Sequence, residues 1–142
     1  MRSGSNIIIL DSKNRILLQQ REDKPEISGP GGWGLWGGTA FPRETPVECA
    51  MRELYEETGI RAEKDDLIFV TDTRGLDRRD LPLTISLFFL NFRVEGPIAL
   101  GEGKGYGFFS KDDALILPSG MGPNTRKLFI DFVDNFDQWI TK

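Results

Sequence analysis

The sequence predicts an α+β domain in which a mixed β-sheet is covered by helices on both faces. Three observations predict it. Short runs rich in β-branched and aromatic residues ("NIIIL", "RILLQQ", "DLIFVTD", "LTISLFFLNFRV") read as strands. One capped helical pattern follows the first two runs, and a second helical pattern closes the chain. Strands early, a helix in the middle and a helix at the end give a sheet two sides to cover. At 142 residues, positions 1–142 make one domain, large enough for a core without disulfide or metal staples.

Element by element, "DSKN" between the first two strands is turn chemistry and suggests a hairpin. "EDKPEISGPGGWG", with two prolines and several glycines, reads as loop. The middle helix begins at "TPVE": Thr45 is the N-cap, Pro46 takes the first helical position, and Glu48 completes a capping box. It runs through Thr58 and stops at Gly59. "RGLDRRDLP" reads as a surface connection between strands. The closing helix starts near Pro123, and Leu128, Phe129, Phe132, Val133, Phe136 and Ile140 form an apolar stripe that docks on the sheet.

Composition narrows the chemistry. There is no histidine, which removes Ser-His-Asp and Cys-His catalysis and makes a zinc site improbable. Acid–base work falls to carboxylates, lysine or tyrosine. A net charge of −4 argues against a broad nucleic-acid-binding surface, yet an acidic protein handles phosphates when a divalent cation supplies the positive charge. One cysteine, Cys49, cannot make an internal disulfide; together with the lack of a signal peptide this points to the cytoplasm. No apolar run is long enough for a bilayer, so no membrane partner is expected.

The middle helix carries an electrostatic conflict. Glu53, Glu56 and Glu57 share an arc of about 100° at 100° per residue. They border the core-facing stripe of Val47, Ala50, Met51 and Leu54, while Arg52, Glu48 and Tyr55 take the wetter side. Mutual repulsion, partial burial and the negative end of the helix dipole all oppose this arrangement. Either the glutamates are simply a solvated face of good helix formers, or a hard cation such as Mg²⁺ or Mn²⁺ offsets them.

The whole segment "GGTAFPRETPVECAMRELYEETGI" supports the cation. Gly38, Glu44, Arg52-Glu53-Leu54, Glu56-Glu57 and Gly59-Ile60 fall at the spacing of the Nudix box, nine positions over 23 residues. The chain thus resembles the Nudix hydrolase family, and most of all its compact MutT-like members. The resemblance implies an α/β/α sandwich and Mg²⁺-dependent hydrolysis of a nucleoside diphosphate linked to another moiety, X. Position by position it implies that Glu53, Glu56 and Glu57 ligate metal, with a backbone carbonyl of Gly37 or Gly38. Arg52 would hold the acidic cluster through charge-assisted hydrogen bonds, supported by Glu44 from the loop. Leu54 and Ile60 would be packing positions.

Other residues are candidates with competing structural roles. The general base is Glu53 or Glu56 of the box, or Glu102 in "LGEGKGYGFFS"; MutT-like relatives often carry Glu-Gly-Gln in a comparable loop, where this chain has Lys104 in place of the glutamine. Arg21 ends a strand where relatives place a basic residue facing substrate; the alternative is a solvated strand-end charge. Arg74, Arg78 and Arg79 form a basic cluster that reads first as solvated loop charge. Trp33 stacks on a base or packs under its loop, and packing is favoured. Asn124 contacts a purine or caps the closing helix, and capping is favoured. Trp36 stands where many relatives carry proline. Nucleoside triphosphates and nucleotide sugars lead the substrate classes, with a monomer or homodimer as the assembly. A non-catalytic nucleotide-binding module of the same fold is the second functional class; such modules commonly lose box glutamates, and all are present here.

Overall fold

The structure, a computed structural model, describes residues 2–21, 31–77, 79–99 and 105–141. Among the described residues the strands are β1 (Arg2–Ile8), β2 (Ile16–Gln20), β3 (Trp33–Gly34), β4 (Trp36–Thr39), β5 (Leu67–Leu76), β6 (Pro82–Leu90) and β7 (Gly105–Phe109). The helices are α1 (Pro46–Thr58), α2 (Lys111–Ile116), α3 (Pro123–Asp134) and α4 (Phe136–Ile140), with a 3₁₀ turn at Lys64–Asp66. One sheet has the order β4-β1-β6-β5, the other β3-β2-β7. The first is mixed: β1 runs parallel to β6 and antiparallel to β4.

Alternation along two central strands creates two cores. Ile8, Leu87 and Phe89 face Leu128, Phe129 and Phe132 of α3. Ile7, Phe88 and Leu90 face Ala50 and Leu54 of α1. Because successive side chains point to opposite faces, a strand that is apolar at every position must be covered twice. This is the sandwich the sequence predicts.

The α1 boundaries agree with the sequence. Thr45 and Glu48 exchange both capping-box hydrogen bonds, and Gly59 ends the helix in the left-handed region at φ 76°. Ser5 Oγ donates to the Pro46 carbonyl at 2.7 Å, so β1 fixes where the helix starts.

Several expectations are corrected. The "DSKN" turn does reverse the chain, with a Leu10–Ile16 bridge, but β1 and β2 then diverge into separate sheets. Both edges of β1 are taken by β4 and β6, so β2 pairs with β3 and β7 instead. Buried Asp11 holds the turn by accepting from the backbone of Lys13 and Arg15 and from Arg15 Nε. Much of "RGLDRRDLP" is strand, since β5 continues through Leu76 and β6 begins at Pro82. β6 ends at Leu90, short of "NFRV". The closing helix is two, broken at Asn135. Strands β3 and β4 and helix α2 have no periodic signal of their own at two to six residues.

Candidate active site

Strand β4 and helix α1 bring the box together. Gly37 has φ 141°, and a Cβ there would fall 1.9 Å from the Ser5 carbonyl oxygen, so only glycine fits against β1. Its N–H donates to Glu57 Oε1 at 2.7 Å, and Glu57 is 4% exposed. Gly38 lacks the Cβ that would lie 2.6 Å from Glu53 Oε1, which lets that carboxylate rest against the strand. The Gly38 carbonyl accepts from Cys49 Sγ at 3.4 Å. Cys49 is a buried packing residue whose thiol pKa burial pushes up.

Arg52 is the hub. Its Nε and Nη2 bind the two oxygens of Glu44 at 2.7 and 2.9 Å, a bidentate pair. Nη1 donates to Glu53 at 2.9 Å and to Glu56 at 3.1 Å, and Nη2 also reaches the Thr39 carbonyl at 3.2 Å. The guanidinium carbon lies 3.7 Å from the centroid of the Phe41 ring. The helical wheel places Arg52 on the wet side, but its side chain is only 19% exposed because the Glu44 loop folds over it. The Arg52 hydrogen bonds hold the Glu44 carboxyl below its ordinary value, and the same carboxylates raise the Arg52 pKa. One partly buried cation thus offsets the crowding on the helix.

Among the described residues no three carboxylates are already gathered at metal-ligand spacing. The donor set still fits a hard dication: three glutamates of α1 and the glycine carbonyls of β4 all offer oxygen donors, and the Gly38 notch that a Cβ would fill lets Glu53 lie against that strand. Glu102 lies outside the described residues, as does Arg78.

A cavity of about 600 Å³ adjoins this cluster at Thr39. Arg21 and Asn124 both line it, together with Arg2, Asp77 and Arg79. Arg21 packs so closely on Gly120 that a Cβ there would fall 2.4 Å from Arg21 Cδ, and its buried Nε has no hydrogen-bond partner among the described residues. Asn124 does not cap α3: the N-cap is Gly122, with no side-chain cap bond. Its amide instead occupies the space above Gly75, where a Cβ would fall 1.9 Å from Nδ2. Trp33 does not line this cavity; it packs edge-on against Phe109 at 4.9 Å. Arg74 is exposed on β5. Trp36, at the proline-like position, is buried and donates from Nε1 to the Leu17 carbonyl at 2.9 Å, leaving both glycines in place.

Sequence reasoning missed Arg2, Thr39, Gly75 and Asp77. Only Gly75 carried a signal, since a glycine inside a strand often marks a close approach by another group.

With this geometry in hand, comparison with known proteins is decisive for the family. The NUDIX domain model matches residues 1–132. The chain belongs to the Nudix family. It is 33% identical over 90 residues to an uncharacterized Nudix hydrolase, orf19, of Rhodococcus erythropolis, covering 61% of this chain and 49% of that protein. It is 28% identical over 141 residues to the RNA pyrophosphohydrolase of Coxiella burnetii, covering 97% of this chain and 52% of that one. The chain therefore spans about half the length of the curated relatives it matches. Among solved structures, the MutT protein of Methanosarcina mazei Go1 superposes with a TM-score of 0.72 at 25% identity, covering 99% of this chain and 95% of that one. The Nudix fold is thus shared along nearly the whole chain. No helix among the described residues is long and apolar enough to cross a membrane.

Proposed function

We propose that this chain is a Mg²⁺-dependent pyrophosphohydrolase that cleaves a diphosphate linkage in a nucleoside triphosphate, a nucleotide sugar or a related nucleoside-diphosphate-X compound. Mn²⁺ is the expected substitute. The observation that carries it is the single Arg52 guanidinium tying Glu44, Glu53 and Glu56 together beside the Gly37–Gly38 strand, next to a nucleotide-sized cavity. Every box carboxylate is retained in the sequence, which favours catalysis over a module that only binds.

Glu53, Glu56 and Glu57, with a carbonyl of Gly37 or Gly38, would hold the metal. A dication held there would supply charge neutralisation at the phosphates and a more acidic attacking water. Glu57, fixed by the Gly37 N–H, gives the site one rigid carboxylate. Arg52 keeps Glu44 and Glu53 oriented, so little reorganisation accompanies the reaction. Glu53 or Glu56 takes the proton of the water; Glu56, with a half-exposed side chain, has the freer approach. Arg21 supplies a donor to a phosphate or base edge from a buried Nε that has no partner among the described residues, and Asn124 reads the base. The relative named RNA pyrophosphohydrolase adds RNA carrying a pyrophosphate linkage to the candidates, although the net charge of −4 opposes broad RNA binding.

The test is a panel of nucleoside triphosphates, nucleotide sugars and 5′-triphosphorylated RNA, assayed for phosphate and pyrophosphate release. Release that needs Mg²⁺ and stops with chelator is the expected result. Ligand-induced thermal stabilisation with no release across the panel would favour the binding module instead.

A further inference from the structure

Strand β5, ten residues long, ends its sheet: β6 takes one edge, and among the described residues no strand takes the other. The strand at the opposite end, β4, has four residues and packs against α1. A long edge leaves alternate backbone N–H and C=O groups without a ladder, and folds normally shorten, bulge, charge or cover it. A register shift between Phe69 and Thr71 interrupts β5 once. Beyond it, residues 71–76 run in regular register and contain neither proline nor lysine.

The side chains along this edge form a self-complementary row. Phe69, Asp72, Arg74 and Leu76 stand opposite Phe88, Ser86, Thr84 and Pro82, so all four share one face of the sheet. All four are exposed, the two apolar ones at 52% for Phe69 and 57% for Leu76. Large apolar groups left open in one row lose free energy to water unless something covers them. The order along the strand is apolar, acid, base, apolar. Neither Asp72 nor Arg74 has an ion-pair partner among the described residues.

We propose that the outer edge of β5 is the interface for a second copy of this chain, the two β5 strands pairing antiparallel about a two-fold axis at Thr73. Asp72 then stands directly opposite the partner's Arg74, and Arg74 opposite the partner's Asp72. Leu76 of each copy lies toward the partner's Phe69, so apolar groups meet at both ends of the row. Moving the axis to Asp72 or to Arg74 sets like charges face to face, so charge selects this register. The contact is isologous and closes after two copies. A strand from an unrelated protein gains the same backbone bonds but neither charge pair, which is why a second copy is the occupant. The inference is independent of the pyrophosphohydrolase reading. Leu76 also lines the 600 Å³ cavity, so the interface reaches that cavity's rim.

The test is sedimentation velocity on the full chain at about 1 to 200 μM, with far-UV circular dichroism to follow the fold of each variant. In the wild type a two-copy species accumulates across that range. Asp72→Arg and Arg74→Asp each place two like-charge pairs across the axis and weaken association at least about tenfold. The Asp72→Arg/Arg74→Asp double variant restores both pairs in reversed order and returns to within about threefold of the wild type. An equimolar mixture of the two single variants also recovers, because one carries two bases and the other two acids at these positions. Recovery on mixing cannot come from chains that fail to fold. A one-copy mass at every concentration would overturn the proposal and leave the edge to a strand of another protein. Unchanged association in both single variants, or no recovery in either the double variant or the mixture, would overturn it as well.

Discussion

The acidic cluster comes from one stretch, residues 38–60, whereas the adjoining 600 Å³ cavity draws on β1, β2, β4, the β5–β6 turn and the start of α3. The cluster is set by local rules. Helical spacing puts Glu53, Glu56 and Glu57 on one strip, a capping box fixes the register, and an i,i+4 step brings Arg52 to Glu56. The cavity obeys none of these. Arg21 and Asn124 are separated by more than a hundred residues and meet only because β2 and α3 are assembled around Gly120 and Gly75. The difference teaches that the proposed chemical half of the site is inherited with one helix, while the proposed recognition half has to be assembled by the whole fold.

The comparison is broken hardest at Glu57. Glu57→Gln keeps an acceptor for the Gly37 N–H but removes the charge proposed to ligate metal, so turnover should fall about 10²-fold or more with the far-UV circular dichroism unchanged. Near-normal turnover would remove the metal-site assignment.

Next comes Arg52→Lys, which keeps the charge and loses the bidentate fork. It should lower the unfolding free energy by about 2 kcal/mol and depress kcat, as read by denaturant titration and steady-state kinetics. In metal-free buffer the same pair gives a pH signature. The folded Glu44 pKa lies below its ordinary 4.5, so the pair stabilises fully above that value and its contribution is lost as pH falls through the lowered one. Glu44→Gln should flatten the acid limb of the stability profile; an unaltered limb would show that the pair contributes nothing there.

On the recognition side, Asn124→Ala should raise KM about tenfold for one purine substrate with kcat changed little, because its amide faces the cavity and caps nothing. A drop in the unfolding midpoint without a KM change would return Asn124 to a structural role. The smallest effect is at the capping box: Thr45→Ala should cost about 1 kcal/mol of stability, measured in urea, and leave KM unaltered.

By itself the sequence determined the helix that carries the box, from Thr45 to Gly59, and the doubly apolar strands that demand a covered sheet. Spacing and capping act within a few residues and can be read in one dimension. Tertiary structure alone decided that β1 and β2 part company, that Arg52 turns from the wet side into the cluster, and that Asn124 abandons its cap. Each depends on which backbone occupies a neighbouring edge or on whether a glycine far away in the chain leaves room for a side chain, and long-range sterics of that kind have no period to follow along the chain.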